Sequence, residues 1–155
     1  MTDLPETDDR HPADVVTTMI GACLARAATW PAWDGVPRPD GDRVYTPHKA
    51  VRRITDHLID HLAEIEARLA GVPTIPDHWH ASAITTAADL APFTTDDLDE
   101  ARSRLTRLAQ IYDLRLRAAT PAALDHRDGD AWSPRQIAFH LEGSLYYAEA
   151  LGFPR

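Results

Sequence analysis

Apolar residues recur at intervals of three and four along four segments of the chain, which is the spacing of one face of an amphipathic helix. These segments span residues 13–29, 47–70, 95–118 and 134–151. Proline, glycine and aspartate interrupt the pattern between them. No segment shows the alternation of a half-buried strand, so little of the chain is predicted as strand. We therefore predict an all-α fold, a four-helix bundle with long connections.

Capping signals define the second and fourth helices. Thr46 is a predicted N-cap, Pro47 takes the first helical position, where its missing N–H costs nothing, and Gly71 closes the C-terminus. Ser133 and Gln136 have the spacing of a capping box at the start of the fourth helix. Both helices therefore have well-defined starting points.

A similar segment precedes each of these two helices. Residues 40–47 read DGDRVYTP and residues 128–134 read DGDAWSP. The shared order of acidic glycine turn, aromatic residue, hydroxyl residue and proline predicts two helical hairpins related by a pseudo-twofold axis. The alternative is chance similarity, because such turns and caps are common at helix starts.

Length and composition narrow the class of protein. The 155 residues suit one domain, 1–155, with a flexible N-terminus over residues 1–12. A hydrophobic content of 44% is that of a globular chain. The net charge of −8 disfavours nucleic-acid binding, because no basic face offsets the acidity. Heavy use of alanine, arginine, aspartate and proline is typical of a GC-rich bacterial genome.

The expected location is the cytoplasm. Cys23 is the single cysteine, so no intrachain disulfide forms and a reducing compartment suffices. The acidic first twelve residues lack the apolar segment of a signal peptide, and no apolar run approaches the roughly 20 residues that span a bilayer. We expect neither secretion nor membrane insertion.

Three histidines suggest a metal site. His57 and His61 lie four apart on the second helix, a spacing that can place two imidazoles on one ion, and His140 falls on the inward face of the fourth helix. If these helices pack side by side, three neutral nitrogens converge and leave positions open on Zn²⁺, Ni²⁺ or Fe²⁺, as catalysis requires. Alternatively, His57 and His61 are solvated beside Asp56 and Asp60, and His140 is a core residue.

Other polar residues could complete such a site. Ser144 and Tyr147 follow His140 on its helix and are predicted as catalytic polar groups at the pocket wall. A metal-binding histidine usually donates its second N–H to a carboxylate or carbonyl, and Asp60, Glu64, Glu142 and Tyr147 are candidates for this role.

Further histidines lie in the long connection over residues 71–94. His78 and His80 would point the same way in an extended segment, with Trp79 between them. They would form a lid over the metal or an exposed polar loop with one aromatic anchor, and the sequence leaves both open.

Patterns for other chemistries are missing from the sequence. Cys23 lies in the apolar stripe of the first helix and is predicted to be inert core. The serines and threonines form no nucleophile elbow, and no glycine-rich phosphate loop is present.

Two segments resemble the DinB-like superfamily, which includes mycothiol- and bacillithiol-dependent transferases. They are WSPRQIAFHLEGSLYYAEALG, similar to the helix that carries one metal-binding histidine, and YTPHKAVRRITDHLIDHLAEIEARLAG, similar to the helix that carries His-x-x-x-His. The resemblance implies metal-ligand roles for His140, His57 and His61. In the superfamily the single-histidine helix generally comes first, so here the two hairpins are in swapped order.

The resemblance implies a metal-dependent enzyme acting on a small molecule, with a low-molecular-weight thiol such as mycothiol as cosubstrate of an S-transferase. A metal-assisted hydrolase, isomerase or biosynthetic enzyme is the first alternative. A non-catalytic bundle that binds a small molecule or a partner protein is the second. A homodimer formed through an apolar helix face is compatible with each.

Overall fold

The computed structural model describes residues 3–76 and 83–152, and these residues are mostly helical. The all-α prediction is confirmed at this level. The elements are α1 (Pro12–Ala27), β1 (Arg38–Asp40), β2 (Arg43–Tyr45), α2 (Pro47–Ala70), α3 (Thr95–Ala118), α4 (Pro121–Asp125), α5 (Pro134–Leu141) and α6 (Leu145–Glu149), with 3₁₀ turns at Trp30–Ala32, Ala88–Leu90 and Glu142–Ser144.

The predicted capping signals at α2 and α5 are confirmed. The Thr46 side chain accepts a hydrogen bond from the Lys49 amide at 3.1 Å, and Gly71 ends α2 in the left-handed conformation with φ of 68°. At α5, the Gln136 amide donates to Ser133 Oγ at 3.2 Å, and the Ser133 amide donates to Gln136 Oε1 at 2.9 Å. These caps set the rotation of both helices.

The core lies where α1 and α2 each pack against α3, α5 and α6. Cys23 is buried in this core as predicted, and burial raises the pKa of its thiol to about 12, so the sulfur stays protonated and unreactive. Large, fully buried core side chains include Ile20, Leu58, Ile65, Leu105, Leu116, Ile137 and Leu141.

The prediction of little strand misses a short antiparallel hairpin. Strands β1 and β2 pair in the register Arg38 with Tyr45 and Asp40 with Arg43. Gly41 has φ of 59°, which places it in the left-handed region that the tight two-residue turn requires. Each strand has only three residues, too few for an alternating pattern to be visible in the sequence. The first Asp-Gly-Asp segment is therefore a hairpin turn that delivers the buried Tyr45 to the start of α2.

The prediction of one continuous helix over 134–151 is wrong. A 3₁₀ turn at Glu142–Ser144 separates α5 from α6. Gly143 lies in this turn, and glycine is about 1 kcal/mol less favourable than alanine within a helix. The first helix also ends earlier than predicted, at Ala27. Between α3 and α5 lies the five-residue helix α4, which the apolar spacing did not predict and which the Thr120 side chain caps.

The connection after α2 is anchored to the start of that helix. Asp89 is 3% exposed and accepts hydrogen bonds from Arg52 Nη2 at 2.6 Å and from the Thr86 amide at 2.8 Å. Its carbonyl accepts from Thr46 Oγ1 at 2.5 Å. The predicted lid residues His78 and His80 lie outside the described residues.

None of the helices in the described part of the chain combines the length and apolar character that a membrane span requires.

Candidate metal centre

His57, His61 and His140 form a triangle between α2 and α5. The ring centroids lie 4.7 Å apart for His57 and His61, 4.9 Å for His57 and His140, and 5.0 Å for His61 and His140. One ring nitrogen from each lies within 4.8 Å of the others. The predicted convergence of the three imidazoles is confirmed, and they are close enough to hold a metal ion.

The spacing of the nitrogens fits one shared ion after a small movement. Metal–nitrogen bonds of about 2.1 Å hold neighbouring ligand atoms about 3.0 to 3.4 Å apart, depending on the angle at the ion. His57 Nε2 and His140 Nε2 are already 3.0 Å apart. Because the ligand atoms of the three residues lie within 4.8 Å of one another, side-chain movements of no more than about 1 to 2 Å would bring them to the spacing that a shared ion requires.

His57 is oriented from both sides of its ring. Its Nδ1 lies 2.8 Å from Ser144 Oγ, and its Nε2 faces His140 Nε2. In the tautomer whose Nδ1–H donates to Ser144, Nε2 keeps its lone pair for an ion. This is the outer hydrogen bond that metal-binding histidines usually make. The 3₁₀ turn that breaks the helix after α5 carries Ser144 into this contact.

His61 is held by a carboxylate one turn along α2. Its Nδ1 lies 2.8 Å from Glu64 Oε2, and Glu64 Oε1 is 3.5 Å from Arg68 Nη2. Burial raises the pKa of Glu64, but the hydrogen bond and electrostatic interaction with His61, followed by those with Arg68, outweigh burial, so the pKa is lowered and the carboxylate is ionised. An ionised Glu64 accepts the Nδ1–H of His61 and leaves Nε2 free to bind.

Two of the three imidazoles, those of His57 and His140, have a lowered pKa. Burial, followed by the neighbouring His61 and His140 and then by Arg53, lowers the pKa of His57 to about 3. Burial and His61 also lower the pKa of His140, although Glu64 opposes them. Neutral imidazole is the form that binds metal, so near neutral pH no proton has to leave His57 first.

The triangle opens into a cavity of about 410 Å³. Its wall combines the three histidines, two carboxylates, a short proline-containing segment and one aromatic ring, contributed by His57, Asp60, His61, Glu64, Thr74, Ile75, Pro76, Trp132 and His140. A small molecule could therefore reach the imidazole nitrogens from this side.

Ser144 and Tyr147, predicted as catalytic residues, both lie beside His57. Ser144 is fully buried, and the Tyr147 ring is centred 6.1 Å from the imidazole while its hydroxyl accepts from Arg53 Nη2 at 3.1 Å. Neither is among the described residues that line the cavity. Their catalytic roles stay predictions, and the observed contact of Ser144 is with the outer nitrogen of His57.

The carboxylates predicted to orient the histidines make different contacts in the structure. Glu64 makes the contact, on His61. Asp60 lines the cavity, whereas Glu142 forms a surface ion pair with Arg10 at 2.7 Å. The sequence alone did not distinguish among them.

Trp132 lines the cavity but was not predicted from the sequence as a residue of the site. Its ring centroid lies 4.6 Å from that of His140 and is stacked 6.4 Å from that of His61. The sequence feature that could have indicated this role is the aromatic residue that both repeated segments have before the helix cap. The equivalent residue, Tyr45, packs 6.3 Å from the Tyr147 ring, which in turn flanks His57. Both repeated aromatics thus lie near the imidazoles, Trp132 directly and Tyr45 through Tyr147.

Removing the Ser144 hydroxyl should weaken metal binding without unfolding the protein. We expect Ser144→Ala to lower the affinity for Zn²⁺ about 10- to 100-fold, because His57 loses the partner that fixes its orientation. Competition with a chromophoric chelator measures this change. The matched control is Ser103→Ala on the exposed face of α3. Equal Zn²⁺ affinities for wild type and Ser144→Ala would contradict the orienting role.

The metal-free protein should lose stability in acid through His57. The unfolded state takes up this proton near the ordinary pKa of 6.5, but the folded state only near 3. The stability contributed by neutral His57 is therefore fully present above about pH 6.5 and declines as the pH falls toward 3, with a slope of up to about 1.4 kcal/mol per pH unit. Urea unfolding of chelator-treated protein between these pH values measures the slope, and His57→Gln should flatten it. Parallel slopes for the two proteins would contradict the assignment.

Comparison of the chain with protein-family models found no match, and comparison with curated proteins and with solved structures found no significant match.

Proposed function

We propose that this chain is a metal-dependent enzyme that holds Zn²⁺, Ni²⁺ or Fe²⁺ through His57, His61 and His140 and acts on a small molecule. The observation that carries the proposal is the triangle of three imidazoles at the wall of a cavity. The reaction we favour is thiol-dependent S-transfer, as the resemblance to DinB-like transferases implies.

The donor set favours a catalytic ion. Among the described residues, the group close enough to share one ion comprises three histidines. Structural zinc sites usually have four protein ligands, whereas catalytic sites have three and keep a position for substrate. The carboxylate of Glu64, which contacts His61, also interacts with Arg68.

A divalent ion bound there would supply Lewis-acid chemistry and lower the pKa of a thiol at an open position. The chain's own residues prepare that position. Ser144 and Glu64 orient the rings of His57 and His61, and Trp132 covers part of the cavity wall.

The arrangement of helices supports a four-helix bundle with swapped hairpins as part of the proposal. The packing of α1 and α2 against α3 and the α5–α6 pair supplies four helical segments around one core. The two capped helices, α2 and α5, contribute all three imidazoles. A DinB-type site could thus be assembled with the His-x-x-x-His helix early in the chain.

The test is thiol conjugation by metal-loaded protein. Untagged protein is reconstituted with Zn²⁺, Ni²⁺ or Fe²⁺ and given a low-molecular-weight thiol and an alkylating electrophile such as a bromobimane. We expect product formation that depends on both ion and thiol and that is lost in His140→Ala. Turnover of an ester or amide without thiol would favour the hydrolase alternative. Metal binding without any turnover would favour a non-catalytic binding protein and contradict the proposal.

A further inference from the structure

A second cavity adjoins the metal cavity at the end of α2. Its volume is about 460 Å³, and Arg68, Thr74, His126 and Asp128 are among the residues that line it. Thr74 lines both cavities. Glu64 lines the first and Arg68 lines the second, one helical turn further along α2. The two spaces are therefore neighbours along a single edge of the helix.

Arg68 has hydrogen-bond donors that the described protein does not use. Its side chain is only 12% exposed, yet Nε is buried without a hydrogen-bond partner among the described residues. Its Nη2 lies 3.5 Å from Glu64 Oε1, which is long for a charged hydrogen bond. A buried donor left unpaired costs about 1 to 3 kcal/mol, so this arginine is poised for an acceptor from outside.

The geometry of a guanidinium matches a carboxylate. Two parallel N–H groups of Arg68 can donate to the two oxygens of one carboxylate, which adds directional specificity to the charge attraction. His126 offers a further donor on the same wall, and Asp128 can accept a hydrogen from a hydroxyl or amide of the same molecule.

We propose that the two cavities form one site for an elongated small molecule, whose head binds the ion at the three histidines and whose far end is a carboxylate paired with Arg68. This inference rests on the proposed function and adds the substrate class. A thiol carboxylic acid of suitable length has the required chemistry, because its sulfur and its carboxylate occupy opposite ends.

The test uses Co²⁺ as a spectroscopic probe of the metal site. Co²⁺-loaded protein is titrated with ω-mercaptocarboxylates of increasing chain length and with the mercaptoalcohols of the same lengths. Thiolate binding is followed by the sulfur-to-cobalt absorption band. For one chain length, we expect wild type to bind the carboxylate about tenfold or more tightly than the alcohol. Arg68→Met should bring the two affinities together. The ratio of carboxylate to alcohol affinity is compared within each variant, so that a change in cobalt affinity transmitted through Glu64 affects both thiols equally and cancels.

Further variants separate the role of Arg68 from a general loss of charge. Arg68→Lys should keep part of the preference, since lysine retains the charge but not the paired donors. Arg117→Gln on α3, which pairs with Asp113 at 2.8 Å, is the matched control and should keep all of it.

Three outcomes distinguish the proposals. Failure of wild type to bind Co²⁺ at the histidines overturns the proposed function itself. Cobalt binding with equal affinities for carboxylate and alcohol at every length overturns only the two-cavity inference. A preference that survives in both Arg68→Met and Arg68→Lys overturns the assignment to Arg68.

Discussion

His57→Ala should lower the affinity for Zn²⁺ by more than about 100-fold, beyond the loss typical of an outer hydrogen-bond partner. The imidazole is one corner of a three-nitrogen triangle, and its Nε2 lies 3.0 Å from that of His140. Without it, His61 and His140 remain as an incomplete ligand pair. Metal analysis of untagged protein and chelator competition measure the loss.

The same substitution should abolish stabilisation by metal. An ion in hundredfold excess over its dissociation constant stabilises a folded protein by about 2.7 kcal/mol, and the variant should show almost none of this gain in thermal unfolding. His48→Ala is the control, because His48 lies at the start of α2 and contacts the Pro92 carbonyl at 2.9 Å. Equal metal content in wild type and His57→Ala would refute the site.

Leu58→Ala should destabilise the protein by about 2 to 5 kcal/mol. Leu58 lies next to His57 on α2, is 0% exposed and packs in the core. The Tyr112 hydroxyl donates to its carbonyl at 2.5 Å, so the backbone is held and cannot easily collapse into the space left by the side chain. Chemical denaturation of the metal-free protein measures the change.

The adjacent residue supplies the matched control. Ile59 is 44% exposed, and Ile59→Ala should change the free energy of unfolding by no more than about 0.5 kcal/mol. Similar losses for the two variants would show that the rotation of α2 differs from the one described, and with it the placement of His57.

The long helices and the three histidines that converge could be predicted from the sequence, but the short hairpin and the 3₁₀ turn could not. The apolar spacing and the cap at Thr46 determine which face of α2 is buried, and that determines where His57 and His61 point. The hairpin around Gly41 and the turn at Gly143 are too short to leave a periodic pattern, because tertiary packing decides whether they form. The position of Ser144 on the fourth predicted helix indicates a residue of the site, but its contact with His57 depends on the 3₁₀ turn around Gly143, which was not predicted.

The partners of the ligands were harder to predict than the ligands themselves. Glu64 and Asp60 both lie within one turn of His61 on α2, and only the observed side-chain directions distinguish them. Trp132 lies in the repeated segment before α5, but its contacts with the rings of His140 and His61 depend on how α5 meets α2.

The 3.0 Å contact between the two Nε2 atoms of His57 and His140 has a thermodynamic consequence for ion uptake. A hydrogen bond across that contact requires one N–H, carried by either His57 or His140. When His140 carries it, moving the hydrogen from Nε2 to Nδ1 of the same ring exposes the second lone pair, and no proton passes to the solvent. Binding of the ion by this pair of imidazoles would then be nearly proton-neutral, so the pair would add little pH dependence to the affinity across neutral and mildly alkaline pH. A thiolate site, which must release protons to bind, would gain affinity steadily over the same range.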